Sequence, residues 1–120
     1  DKYIKVVITI KKEKAVEKMN YSVTTKEFML LAAKEPVEVL DLRDPDFIDS
    51  FDLPEGSNVT HIPLTQLPNR LDQLDRSKTY YLFTQFGGRS KTMAQFLRNE
   101  GFQVANVIGG TTAYKQYLAS

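Results

Sequence analysis

The sequence predicts an α/β layered domain, a parallel sheet covered by helices on both faces. Three observations predict it. From Tyr21 onward, short β-branched or aromatic runs alternate with segments of helical periodicity. The connections between them are short, as in parallel units where each strand feeds a helix. With 120 residues, 42% of them hydrophobic, the chain has one domain's worth of material, enough to bury about 65% of its unfolded surface.

Residues 1–20 stand apart from the domain proper at 21–120. They carry six lysines against three acids, net +3, so the remaining hundred residues are net −2. Within them Ile4, Val6, Ile8 and Ile10 alternate with Lys5, Thr9 and Lys11, the period-2 signature of a half-buried strand over Tyr3–Lys11. Lys11–Lys18 then reads as a lysine-rich connector. The apolar face of this extra strand needs a cover, so it should pair with the domain's own sheet or with a second copy of the chain as a homodimer. The start at Asp1, without methionine, fits a piece of a longer protein.

Thr24-Thr25-Lys26-Glu27 has the spacing of a capping box, predicting a helix through Phe28, Leu31 and Ala32 towards Lys34, stopped by Pro36. Val37–Leu42 is a β-branched run ending at Arg43, after which Asp44-Pro45 supplies an N-cap and first-turn proline for a brief helix through Phe51. Leu53–Ser57 reads as a turn and Val59–Ile62 as a strand. Leu64–Leu74 reads as a helix with Leu67, Leu71 and Leu74 on one stripe. Thr79–Phe83 is the most strand-like run. Gly87-Gly88 follows it, then a helix from Arg89 to Glu100 with Met93, Phe96 and Leu97 inward and Gly101 as its C-terminal cap. Val104–Ile108 is the last strand, Gly109-Gly110 its turn and Thr111–Leu118 the closing helix.

Composition excludes several classes of function. Sixteen basic against fifteen acidic residues leave a net charge of +1, without the positive field expected of a nucleic-acid or membrane-surface binder. No run approaches the roughly 20 apolar residues of a membrane span, and the first residues lack the layout of a secretory signal, so the cytoplasm is the expected location. The chain has no cysteine, which removes disulfides, thiolate metal sites and every mechanism with a cysteine nucleophile or persulfide. The single histidine, His61, makes a His-based metal site or Ser-His couple hard to assemble, so no metal or cofactor is expected.

In parallel sheets, ligands gather where a strand's carboxyl end feeds a helix N-terminus. Thr84-Gln85-Phe86-Gly87-Gly88-Arg89-Ser90 occupies that position after the central strand. Two glycines allow the backbone to curl into a nest of N–H donors, with Arg89 beside it, which would suit an anion. The same glycines equally suit a tight strand-to-helix connection, with Arg89 solvated. Ser90 before Lys91-Thr92 stands where a Walker loop requires glycine.

Four stretches, in order, carry a resemblance: Asp41-Leu42-Arg43-Asp44-Pro45-Asp46-Phe47; Ile62-Pro63-Leu64 with Leu67-Pro68-Asn69-Arg70-Leu71; Gly87-Gly88-Arg89-Ser90; and Gly101-Phe102-Gln103-Val104 with Val107-Ile108-Gly109-Gly110-Thr111. Over residues 21–118 the chain resembles the rhodanese-like family, which implies a three-layer fold with a mainly parallel central sheet. The family's activity is sulfur transfer through a persulfide on a cysteine at the first position of a Cys-x-x-Gly-x-Arg loop. Matching on Gly87-Gly88-Arg89 puts Thr84 at that position. A threonine hydroxyl has no reducible sulfur and a pKa far above a thiol's, so the resemblance implies an inactive homologue. Gln85 and Phe86 replace the polar or charged residues usual after the cysteine, and Asp52-Leu53-Pro54-Glu55-Gly56 stands for the family's His-Ile-Pro-Gly segment.

Thr84 has no evident base, so catalysis by it is not expected. Arg89 is either an anion ligand or the brace of the loop through a carboxylate. Asp41 and Arg43 match structural positions of the family, a pair bracing the strand end. His61 is expected to be a surface or satisfied core residue. Phe86 and Tyr114 are either exposed near the loop mouth, suiting protein contact, or packed in the core. The leading expectation is a module without sulfur transfer that binds a protein partner, or an adjacent domain of a longer chain, through the face around Thr84, Gln85, Phe86, Gly87, Gly88 and Arg89. The alternative is a domain that binds or senses sulfate or phosphate through that loop. A third reading is an enzyme, hydrolytic in type, that uses the loop without cysteine.

Overall fold

The computed structural model describes residues 2, 4, 5, 22–48, 53 and 57–120. Among the described residues five strands, β1 (Ser22–Val23), β2 (Glu38–Asp41), β3 (Asn58–His61), β4 (Thr79–Phe83) and β5 (Gln103–Val107), form one sheet in the order β1-β5-β4-β2-β3. Every pairing is parallel. Among the elements described from residue 22 onward are three α-helices, α1 (Thr25–Lys34) between β1 and β2, α2 (Gly88–Asn99) between β4 and β5, and α3 (Gly110–Ala119) after β5. None of the described helices is long and apolar enough to cross a membrane.

Neighbouring residues on a strand face opposite ways, and this alternation builds two cores. Leu40, Tyr80, Leu82 and Val104 point to the face covered by α2, where they meet Leu67, Ala94, Leu97 and Phe102. Val39, Tyr81, Phe83 and Ala105 point to the other face and pack with Phe28 of α1 and Tyr114 of α3. There the Phe28 ring meets Tyr81 at 5.5 Å and Phe83 at 5.1 Å, edge to face. Both sheet faces are therefore dry, which a wholly parallel sheet requires.

The capping box forms as its spacing predicts. Thr24 Oγ1 accepts from Glu27 N–H at 3.1 Å, and Glu27 Oε1 accepts from Thr24 N–H at 3.0 Å. Gly101 follows α2 at φ +91°, the left-handed conformation that lets the chain turn into β5.

Three expectations are corrected. Leu64–Leu74 does not form one α-helix but two 3₁₀ turns, Leu64–Asn69 and Leu71–Gln73. Pro68 has no N–H to continue an α-helical ladder and lies inside the first turn; Leu67 and Leu74 still reach the core. The helix after Asp44-Pro45 is a single 3₁₀ turn, Pro45–Phe47, capped by Asp44, whose side chain accepts from Asp46 N–H. Residues 49–52 lie outside the described residues, as do most of the 53–57 turn and, apart from Ile4 and Lys5, the whole of the strand expected over 3–11. Lys2, Ile4 and Lys5 are helical rather than extended.

Candidate functional site

The site is assembled at the carboxyl ends of β2, β3 and β4. The segments leaving these strands, Arg43–Phe47, Pro63–Thr65 and Thr84–Arg89, surround a cavity of about 410 Å³. That volume lies in the ~300–1,000 Å³ range of ligand pockets.

Thr84 is buried at the base of its loop. Its Oγ1 accepts a hydrogen bond from Gly87 N–H at 2.8 Å, so the side chain caps the turn it begins. Gly87 sits at φ +86°, and Ser90 Oγ donates back to its carbonyl at 2.8 Å. No basic side chain hydrogen-bonds to Thr84 among the described residues; the group on its oxygen is a donor. None of the described residues is placed to draw off the hydroxyl proton, as nucleophilic use of threonine needs.

The loop is held from below by the turn after β5. Thr84 C=O accepts from Thr111 N–H at 2.9 Å and Gln85 C=O from Thr112 N–H at 3.0 Å. The approach is so close that a Cβ on Gly110 would stand 2.0 Å from Thr84 O, and one on Gly87 would stand 2.5 Å from Gly109 N. Gly109-Gly110 is thus part of the site's foundation, and Gly87 faces that foundation instead of the cavity.

The remaining loop residues point outward. Gln85, Gly88 and Arg89 are exposed and line the cavity. Phe86 is 70% exposed on its rim, and Phe47, from the segment after β2, is 60% exposed there too. Arg89 makes no ion pair among the described residues. Tyr114 takes the other course open to it: it is 4% exposed and packs edge to face on Phe83, away from the loop mouth.

Asp41 and Arg43 form a buried bidentate pair, Arg43 Nε to Oδ1 at 2.9 Å and Nη2 to Oδ2 at 2.8 Å, with Arg43 N–H also donating to Oδ1 at 3.1 Å. Arg43 Nη1 continues to Phe47 C=O at 3.3 Å, anchoring the turn that carries Phe47. His61 Nδ1 lies 3.1 Å from Asp41 Oδ2, because the β2–β3 register sets His61 beside Asp41. The His61 contact and the rim position of Phe47 are absent from the sequence reading. The first depends on strand register across twenty residues; the second could have been found in the short spacing from Arg43. Among the described residues no three His, Asp or Glu side chains converge as a metal site would need.

The sequence pattern of the Rhodanese-like domain matches residues 24–117. The chain belongs to the rhodanese-like family. Among relatives, the tRNA sulfurtransferase of Tolumonas auensis is 39% identical over 72 residues, 59% of this chain but 15% of that protein. YtwF of Bacillus subtilis, whose name marks it provisionally as a sulfurtransferase, is 28% identical over 96 residues, covering 75% of this chain and 90% of its own. The chain thus spans about a sixth of the tRNA sulfurtransferases it matches. Among solved structures, reduced CoADR-RHD of Bacillus anthracis superposes with a TM-score of 0.70 at 28% identity, over 82% of this chain and 17% of that one. Against relatives named for sulfur transfer, this rhodanese-like chain has no cysteine, so it cannot form a cysteine persulfide.

Proposed function

We propose that this rhodanese-like domain does not transfer sulfur and binds a protein partner through the face around Thr84–Arg89. The observation that carries the reading is the exposure of Phe86 and Phe47 on the rim of one cavity. Each ring would contribute about 1.5–3 kcal/mol if fully buried, and aromatic residues in such settings are typical anchors of protein interfaces. Thr84, with its oxygen bonded to Gly87 N–H, serves to shape the loop.

Two measurements test this. The purified chain is expected to show no thiosulfate-to-cyanide sulfur transfer above a boiled control; turnover that survives repurification would overturn the non-enzymatic half. A photo-crosslinking residue at position 86, expressed in the native cell, should give a discrete protein adduct that is lost with Phe47→Ser and absent when the crosslinker stands at Leu30. Loss of that difference would overturn the docking half.

A second reading draws on Arg89, which has no ion pair among the described residues and stands in the first turn of α2. The loop would hold a small oxyanion such as sulfate, without the thiolate charge that would repel it.

A further inference from the structure

The cavity's walls are not uniform in chemistry. Leu42, Pro63 and Leu64 supply apolar surface, and Phe47 and Phe86 extend it to the rim. Among the described residues three charged side chains reach the same space, Arg43, Asp44 and Arg89. The charge of Arg43 is already answered by the two oxygens of Asp41. That leaves a cation on the β4 side, Arg89, and an anion on the β2 side, Asp44, whose carboxylate is engaged by Asp46 N–H. Polarity therefore runs across the opening, with two phenyl rings exposed along it.

We infer that the occupant is a peptide segment that presents an apolar side chain, aromatic or branched, immediately beside an acidic residue. The apolar group enters between Phe47 and Phe86, and the carboxylate meets Arg89. This rests on the docking reading above and adds the partner's chemistry to it. An inorganic anion alone would satisfy Arg89 but leave both rings in water, whereas an apolar group alone would leave the guanidinium unanswered. A basic residue beside the anchor would be repelled by Arg89 and, turned the other way, would meet only Asp44, whose carboxylate already accepts from Asp46 N–H, so the acidic residue is the one favoured, on the Arg89 side. Among the described residues, one cation facing one anion does not make the broad positive field that a phosphate backbone or an anionic membrane needs.

The test is an amide chemical-shift titration of the whole chain with three capped tetrapeptides that differ at the central pair: Glu-Phe, Lys-Phe and Glu-Ala between glycines. Glu-Phe should shift the amides of residues 43–47 and 84–90 with an affinity of about a millimolar, about three- to fivefold tighter than Lys-Phe, the scale of one exposed ion pair. Glu-Ala should not approach saturation. In Arg89→Glu the order should invert, Lys-Phe above Glu-Phe; this exposed residue has no described ion pair to lose, and an unchanged spectrum elsewhere verifies the fold. Equal binding of Glu-Phe and Lys-Phe, an order unmoved by Arg89→Glu, or no shift with any peptide at about 10 mM would each overturn the inference. If the peptides fail while position 86 keeps its Phe47-dependent adduct, docking stands and the anchor chemistry falls. If both fail, both readings fall together.

Discussion

Asp41 is a fully buried carboxylate that meets Arg43 through both oxygens and His61 through one. Arg43 is itself 5% exposed, so an amide in place of the carboxylate would take the opposite charge away from a buried guanidinium. Asp41→Asn should therefore cost about 3–5 kcal/mol of folding stability, read from urea unfolding. The double variant Asp41→Asn/Arg43→Met should lose less than the sum of the two single losses, because it removes both charges of one buried pair together. Additive losses would mean the pair is not coupled. Gly110 makes the same point about backbone. An Ala there brings its Cβ onto the Thr84 carbonyl at a φ of +60°, so it should destabilise by several kcal/mol and shift the amides of 84–88. Gly88→Ala, where a Cβ meets nothing within 4 Å, should stay within about 0.5 kcal/mol of the parent. Similar losses for both would remove the argument from close approach.

Individual elements differ in how openly the sequence announces them. The α1 start was legible because a capping box is a local device, four residues long and complete in itself. The strand runs were legible for the same reason, since β-branched and aromatic residues at Val39, Tyr80 and Tyr81 fit a pleated surface wherever it lies. Leu64–Leu74 was misread because its leucine stripe is right for a helix while Pro68 forbids the hydrogen bond that an α-helix needs there. The site itself was half legible. Thr84–Arg89 could be placed by its position after the central strand. The exposure of Phe86 stood only as one of two readings, since an aromatic beside a loop mouth suits either protein contact or the core. At this scale the anion reading predicts that sulfate shifts the amides of 84–90 weakly, and that Arg89→Ala abolishes the effect, because the first turn of α2 and the guanidinium act together. Absence of any shift at tens of millimolar, about the weakest useful affinity, would leave the loop as a purely structural turn.

Across the whole molecule, the two cores meet at a sheet whose central strand carries Tyr81. Burial raises the phenol's pKa above its usual 10.0, and the negative charge of Glu35 adds to the rise. The folded state thus holds the proton more tightly than the unfolded chain. Its stabilisation is complete below the unfolded value and is lost as pH climbs through the raised one. Stability measured by urea unfolding should fall above about pH 10, and Tyr81→Phe should flatten that fall while leaving neutral-pH stability within about 1 kcal/mol. A fall of equal steepness in the variant would assign alkaline sensitivity elsewhere.

The contact between the Thr84–Gly87 loop and the Gly109-Gly110 turn makes the loop's outline a property of two distant stretches of chain. Anyone grafting a different loop onto this scaffold would meet that constraint first. A transplanted segment at 84–90 would inherit its floor from residues 109–112, and a donor loop shaped over bulkier ground would not seat. The portable unit is therefore discontinuous, and exchanging both stretches together is the operation that should carry a foreign binding surface intact.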